Sequence, residues 1–378
     1  MTGKGLRVAC GLVAAALVWC GAVSAQTAVG KPLRIGQSAG VTGPVAGVVK
    51  EQIAGAQLYL HSVNENGGVN GRPVELITYD DGFDPARTAV NARKLVEQDN
   101  VLALFMVHGT EEAESTLPIL LSDKVPLVAP LTGAITMYRP FNRYVFNVRA
   151  KYQDEVARAV RHLVTSGITK IGIFSSTDGF GGDVLEGYYS AMEANHIQPA
   201  GMASFSRPMG DISAAVAALA KAKPEAVLVA GAGSEARRII REVRKAGVDP
   251  QFVTLSDNAA DSFIRDMGED GHGLIITQVV PGTNSSQMSI ASEYRNQARR
   301  QGMAASNPGM EGFMSAKVLV EALRRAGADP TREKLVAALE SMRNYDLGGM
   351  LISYSPTNHA GSSFVEMSIV SSSGKLIR

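Results

Sequence analysis

The sequence predicts an α/β protein of two doubly wound lobes, each a largely parallel sheet with helices on both faces. Three observations carry this. Apolar runs alternate with helical patterns along nearly the whole chain. The runs are continuous rather than alternating, as parallel strands covered on both faces require. The chain, at 378 residues, is also longer than one ordinary core holds.

The first lobe opens with an apolar run, Leu33 to Gly36, and a loop of small residues from Gln37 to Gly47. A helix is expected from Lys50 to Glu65, where Ile53, Ala56, Leu60 and Val63 recur at helical spacing, and Asn66-Gly67-Gly68 ends it. A second strand follows from Val74 to Tyr79. Asp84 then reads as an N-cap, with Pro85 at the first helical position. This completes one βαβ unit, and ligands of open parallel sheets bind at the mouths of such strands. Helix (Ala86 to Gln98), strand (Val101 to Val107), helix (Glu111 to Ser122) and strand (Val125 to Ala129) continue the pattern, and Tyr144 to Arg149 reads as extended.

Ahead of this lobe, residues 1–25 read as a cleaved secretion signal. Lys4 and Arg7 form its basic start, Val8 to Trp19 its apolar stretch, and Val23-Ser24-Ala25 its small-residue cleavage site. The stretch is shorter than the ~20 residues a membrane span needs. A retained anchor and lipid attachment at Cys20 are the alternatives, the latter disfavoured by the bulky Trp19 before it. Both cysteines, Cys10 and Cys20, lie in this leader, so the mature chain has no disulfide or thiolate chemistry. Without Lys4 and Arg7 the chain carries 35 basic and 36 acidic residues. That balance gives no electrostatic case for nucleic acid or anionic membrane as a partner. No later apolar run spans a bilayer, so a soluble mature protein is expected.

The alternation restarts beyond Tyr152. A helix (Asp154 to Thr165) and a strand (Lys170 to Ser175) lead into Thr177 to Gly182, and later strands fall at Val227 to Gly231, Phe252 to Leu255 and Leu274 to Val279. Two strong helical patterns, Gly309 to Ala326 and Thr331 to Met342, complete the first lobe more naturally than they extend the second. Met350 to Tyr354 and Phe364 to Val370 read as terminal strands. The chain therefore crosses between lobes near Ala150, Pro281 and Tyr345. The expected division is 26–150 with 282–345 against 151–281 with 346–378. Several crossings make a hinge that bends without separating the lobes.

Gly36-Gln37-Ser38-Ala39-Gly40 matches the G-x-S-x-G elbow of serine hydrolases, and Asp346 and His359 follow in hydrolase order. An elbow needs earlier strands to build its sheet and oxyanion hole, and here it sits on the first strand. No Gly-Lys-Ser/Thr follows the small-residue loop, so nucleotide binding lacks its contacts. His61, His108, His162, His196, His272 and His359 are scattered without metal spacing. No metal or cofactor is expected.

Strand ends offer a different set: Ser38, His108-Gly109-Thr110 and Thr132-Gly133-Ala134 in the first lobe, and Asp178 to Gly181, Gly231 to Gly233 and Ser256-Asp257-Asn258 in the second. Hydroxyls and free N–H groups at helix starts suit a small polar or anionic ligand. For each residue alone, helix capping explains the hydroxyl equally well.

The mature chain resembles the solute-binding proteins of ABC importers, specifically the branched-chain amino acid (Leu/Ile/Val-binding) family. The resemblance rests on Thr42-Gly43-Pro44, Asn66 to Arg72, Asp80-Asp81 with Asp84-Pro85, and Asp178 to Gly181. It continues through Gln278 to Pro281, Glu311-Gly312-Phe313, Asp346 to Gly349 and Tyr354-Ser355-Pro356. It implies a type I periplasmic binding protein: two Rossmann-like lobes joined by a three-segment hinge and closing on a ligand. It implies that Thr110, Thr132 and Gly133 hold a ligand carboxylate, that Phe180 covers the ligand, that Asp257 pairs with an α-ammonium group, and that Tyr152 assists. Two departures stand out. Val48 falls where the family often has an aromatic residue, and Glu111 and Glu112 follow Thr110 where neutral residues suit an anion.

The expected function is a periplasmic, monomeric protein that delivers an amino acid or related carboxylate or amide to an inner-membrane permease. The alternatives are a soluble sensor for a membrane receptor and an esterase using Ser38.

Overall fold

The computed structural model describes residues 1–2 and 30–377. The expected leader and its cleavage site therefore lie almost wholly outside the described residues. The first lobe is built from β1 (Leu33–Ala39), α1 (Ala46–Glu65), β2 (Val74–Asp80), α2 (Pro85–Glu97), β3 (Ala103–Phe105), α3 (Thr110–Ser122), β4 (Leu127–Val128) and β5 (Val145–Phe146). Its five strands run parallel in the order β2-β1-β3-β4-β5. The cap read from the sequence is present: the Asp84 carboxylate accepts from Ala86 N–H at 2.9 Å, and Pro85 opens α2.

The second lobe follows with α4 (Tyr152–Thr165), β6 (Ile171–Ser176), α5 (Gly179–Ala194), β7 (Met202–Phe205), α6 (Ser213–Ala222), β8 (Ala226–Ala230), α7 (Ser234–Lys245), β9 (Gln251–Thr254), α8 (Asp261–Met267) and β10 (Ile275–Gln278). The chain then returns to the first lobe as α9 (Ser289–Arg300), α10 (Asn307–Arg325) and α11 (Arg332–Glu340), followed by a hairpin of β11 (Tyr345–Asp346) and β12 (Leu351–Ile352). It ends on the second sheet with β13 (Glu366–Val370) and β14 (Leu376–Ile377). That sheet has the order β14-β13-β10-β9-β8-β6-β7. Its last two strands run antiparallel, so the sheet is mixed at one edge rather than parallel throughout.

The hairpin corrects one expectation. Residues from Asp346 were expected with the second lobe, yet Leu347, Met350, Ile352 and Tyr354 are buried in the core of the first. The Tyr354 hydroxyl donates to the Asn147 carbonyl at 2.9 Å, and Gly361 N–H reaches the same carbonyl at 2.9 Å. The last passage between lobes thus lies between Gly361 and β13.

Helices α1 and α10 pack backbone against backbone. A Cβ at Gly55 would lie 1.8 Å from the Gly309 carbonyl oxygen, and one at Gly312 would lie 1.9 Å from that of Gln52. Only glycine permits this approach. It brings the buried side chains Gln52 and Glu311 together at 2.9 Å.

Candidate functional site

The ends of β1 and β3 face those of β6, β8 and β9 across a cleft whose cavity volume is about 1260 Å³. The lobes touch at its side: a Cβ on Gly233 would meet the Pro44 carbonyl at 2.8 Å, and one on Gly47 would meet Ser262 Oγ at 2.5 Å. Ordinary small-molecule sites measure roughly 300–1,000 Å³. The cavity is therefore larger than such a site requires. The remainder is the mouth, lined by charged residues of α7 such as Arg238, Arg241 and Lys245.

Thr110 opens α3 from the first lobe, behind Gly109 at φ 106°. Gly109 leaves room for the Glu112 carboxyl, whose Oε2 would lie 1.9 Å from a Cβ there. The Thr110 hydroxyl is 2.9 Å from that of Thr132. Phe83, in the loop after β2, lines the same wall.

The second lobe supplies Phe180 on α5, whose ring meets Tyr152 edge-on at 5.0 Å. Asp178 caps α5 through Gly181 N–H at 3.0 Å and pairs with Arg207. Arg207 also forms a two-pronged bond to Glu235, at 2.8 and 2.9 Å. Its guanidinium lies 5.7 Å from the rings of both Phe83 and Phe180. One cation thus joins aromatics from opposite lobes.

At the base of the cleft Asp257 lies 3.6 Å from the buried Arg149 and 3.5 Å from the Tyr152 hydroxyl. Burial, opposed by Arg149 and reinforced by Glu155 and Glu311, pushes the Asp257 carboxyl up to about 7. Burial also raises Glu112, to about 8, with Asp81 and Glu111 adding to it. At pH 7 burial thereby favours the neutral form of Glu112, which weakens its repulsion of an anion. Both Glu111 and Glu112 line the cavity.

Of the residues expected to touch ligand, Thr110, Tyr152, Phe180 and Asp257 line one cavity. The other three stand behind it. Ser38 donates to Asp81 at 2.7 Å and receives Asn91 at 3.1 Å, so its hydroxyl braces β1 and is corrected to a structural role. Thr132 sits one bond behind Thr110. Gly133 lies against the first crossing, where its carbonyl accepts Tyr152 N–H at 2.9 Å. The hydrolase order is not assembled as a triad: His359 Nδ1 meets the Val145 carbonyl at 3.0 Å, while Asp346 binds the N–H groups of Gly348 and Gly349. Val48 is buried at the edge of the cleft, and the aromatic partner from the first lobe is Phe83 instead. Sequence reasoning missed Phe83, Arg149 and Arg207. Among the described residues no cluster of His, Cys, Asp and Glu is arranged for a metal ion, and no helix is long and apolar enough to cross a membrane.

A family model described as "Periplasmic binding protein" matches residues 32–374. The solved structure of a substrate-binding periplasmic protein from Ralstonia solanacearum is 31% identical, covering 91% of this chain and 99% of that one, with a TM-score of 0.84. That of a possible leucine/isoleucine/valine-binding protein from Rhodopirellula baltica SH 1 is 28% identical and covers 95% and 98%, with a TM-score of 0.86. A leucine-, isoleucine-, valine-, threonine-, and alanine-binding protein of Pseudomonas aeruginosa is 24% identical over 320 residues, 82% of each chain. These relatives are named for binding, not for catalysis.

Proposed function

Because the chain belongs to the periplasmic binding protein family, in its branched-chain amino acid branch, we propose that it captures an amino acid in the cleft and hands it to an ABC importer of the inner membrane. One observation carries this reading: polar and aromatic groups of both lobes, Thr110 and Phe83 from one and Phe180, Arg207 and Asp257 from the other, line a single cavity. A solute touching both walls stabilises the closed arrangement over the open one, and that difference drives closure. In this reading the Thr110 hydroxyl and the start of α3 receive the carboxylate, Phe180 and Tyr152 cover the side chain, and Asp257 receives the ammonium group.

A thermal-shift screen of amino acids, amides and aromatic acids tests the proposal. A ligand at 100 times its dissociation constant stabilises by about 2.7 kcal/mol. At least one amino acid is expected to give such a shift. A shift with ATP or NAD and none with any amino acid would sink the reading.

A further inference from the structure

Three carboxylates meet one guanidinium at the base of the cleft, and they meet it unequally. Arg149, its side chain 3% exposed, enters the first crossing between lobes. Glu155 on α4 takes its Nη2 at 2.8 Å and also accepts from Ser256 N–H at 3.0 Å, Ser256 Oγ at 3.1 Å and Thr277 Oγ1 at 2.5 Å. That carboxylate is satisfied, and with Arg149 it forms a neutral pair. Nη1 then serves two more carboxylates from opposite lobes, Glu311 on α10 at 3.5 Å and Asp257 after β9 at 3.6 Å. Neither contact is a short bond. One positive charge does not balance three negative ones, and of the last two only Asp257 lines the cavity.

Glu311 is fixed on Arg149 by its own neighbours. Gln52 Nε2 donates to Glu311 Oε2 at 2.9 Å, and the side-chain Oε1 of Gln52 accepts from His108 Nδ1 at 3.1 Å. Among the described residues no hydrogen-bond donor reaches Glu311 Oε1, so Arg149 is its only close positive charge. Burial, with Arg149 adding to it, pulls the His108 imidazole down to about 3, so the ring is neutral. With Nδ1–H engaged by Gln52, its Nε2 is an acceptor. His108 lines the cavity together with Asp257.

We infer that Glu311 is a positioning residue for ligand choice: by occupying the second arm of Arg149 from the first lobe it leaves Asp257 uncompensated, so that the cleft selects a solute bearing a cationic nitrogen beside Asp257 and His108. This deepens the amino-acid reading and rests on it. The other groups facing Asp257 are the Tyr152 hydroxyl, Glu155 from α4 and the more distant Arg207. A buried carboxylate without a full counter-charge holds a proton until a cation replaces it. A ligand ammonium group therefore displaces that proton, whereas an amine-free acid does not.

The probes are L-leucine and 4-methylpentanoate, the same skeleton without the amine, on the full mature chain. In Glu311→Gln the bond from Gln52 is kept but the charge is gone, and Arg149 Nη1 is free to close on Asp257. The Asp257 carboxyl-carbon titration, followed by NMR and assigned through Asp257→Asn, should then fall by about one pH unit or more. One unit corresponds to about a ten-fold loss in preference for leucine over 4-methylpentanoate. An unchanged titration midpoint, or an unchanged preference, overturns the inference. The titration needs no ligand, so it decides even if neither probe binds, an outcome that would count against the amino-acid reading alone. Should the variant not fold, wild-type calorimetry in buffers of different ionisation enthalpy decides: proton release near pH 7 with leucine only supports the inference, and equal release with both probes refutes it.

Discussion

Arg149 and Arg207 are built from the same parts and sit in opposite settings. Each guanidinium faces aromatic rings, Tyr152 for the first and Phe83 with Phe180 for the second, and each has more than one carboxylate. Burial lowers the pKa of both, and the surrounding acids more than restore it. Their side chains differ in access to water, 3% exposed against 21%. Water that reaches Arg207 screens its partners and lets them rearrange, whereas of the acids around Arg149 Glu155 is wholly buried and only Asp257 lines the cleft. The first cation therefore holds the hinge region together, and the second can serve a cleft that opens.

Removing Arg149 gives the largest expected effect. Arg149→Met strands Glu155, Asp257 and Glu311 without a counter-charge, which costs about 3–5 kcal/mol for a buried pair. Urea denaturation should show the loss as a lower midpoint. A loss within the range of a surface pair, about 0–1 kcal/mol, would erase the distinction between the two arginines.

Arg207→Ala comes next. Its acids, Asp178 and Glu235, are partly hydrated, so a loss of about 1–3 kcal/mol is expected, between the surface and buried cases. The same denaturation experiment compares the two directly, and equal losses would break the comparison.

The last effect is read as a gradual slope against pH rather than as a single loss. Burial raises Glu112 from an ordinary value of 4.5 to about 8 against the opposing pull of Arg207. A carboxyl whose pKa is higher folded than unfolded binds more protons in the folded state. Stability is then fully retained below about 4.5 and falls as pH rises toward about 8. The slope from this one group is at most about 1.4 kcal/mol per pH unit. Melting temperatures across that window should fall less steeply in Glu112→Gln. Asp257, raised to about 7, titrates in the same window and leaves a residual slope. Wild-type and variant curves that run parallel would place the charge burden away from Glu112.

Most of the fold was legible because its signals are local. The apolar run at Leu33, the cap at Asp84-Pro85 and the glycines after Glu65 each mark an element through short-range sterics and hydrogen bonding. The hairpin residues from Asp346 to Ile352 read from sequence as part of the second lobe because the two-residue strands of the hairpin pair with each other and not with either sheet. Its place is set by the bond from Tyr354 to Asn147, which no local pattern encodes. In the site, Thr110, Tyr152, Phe180 and Asp257 were visible as residues beside strand ends or the first crossing. Arg207 was not, because it follows β7, whose Met202 and Ser204 are exposed and leave no apolar run to mark a strand. Phe83 was hidden differently: it sits in a loop at φ 64°, a conformation its side chain does not announce. Arg149 lies in an extended apolar stretch, and a charge there signals burial with partners but does not say which.

Along the glycine seam between α1 and α10 the two helices have no clearance, and that divides the cleft into parts that can be altered separately and parts that cannot. Phe83, Phe180 and Arg207 ride on loops or at a helix start, where one side chain can be exchanged while its neighbours stay put. Gln52 and Glu311 are bolted to two backbones in direct contact, and Gly55 and Gly312 set the spacing. A single methyl group there separates Gln52 from Glu311 without touching the cleft wall. In a lineage of such proteins the loops can drift toward new solutes one step at a time, but the spacing that holds Gln52 against Glu311 changes only when both helices move together.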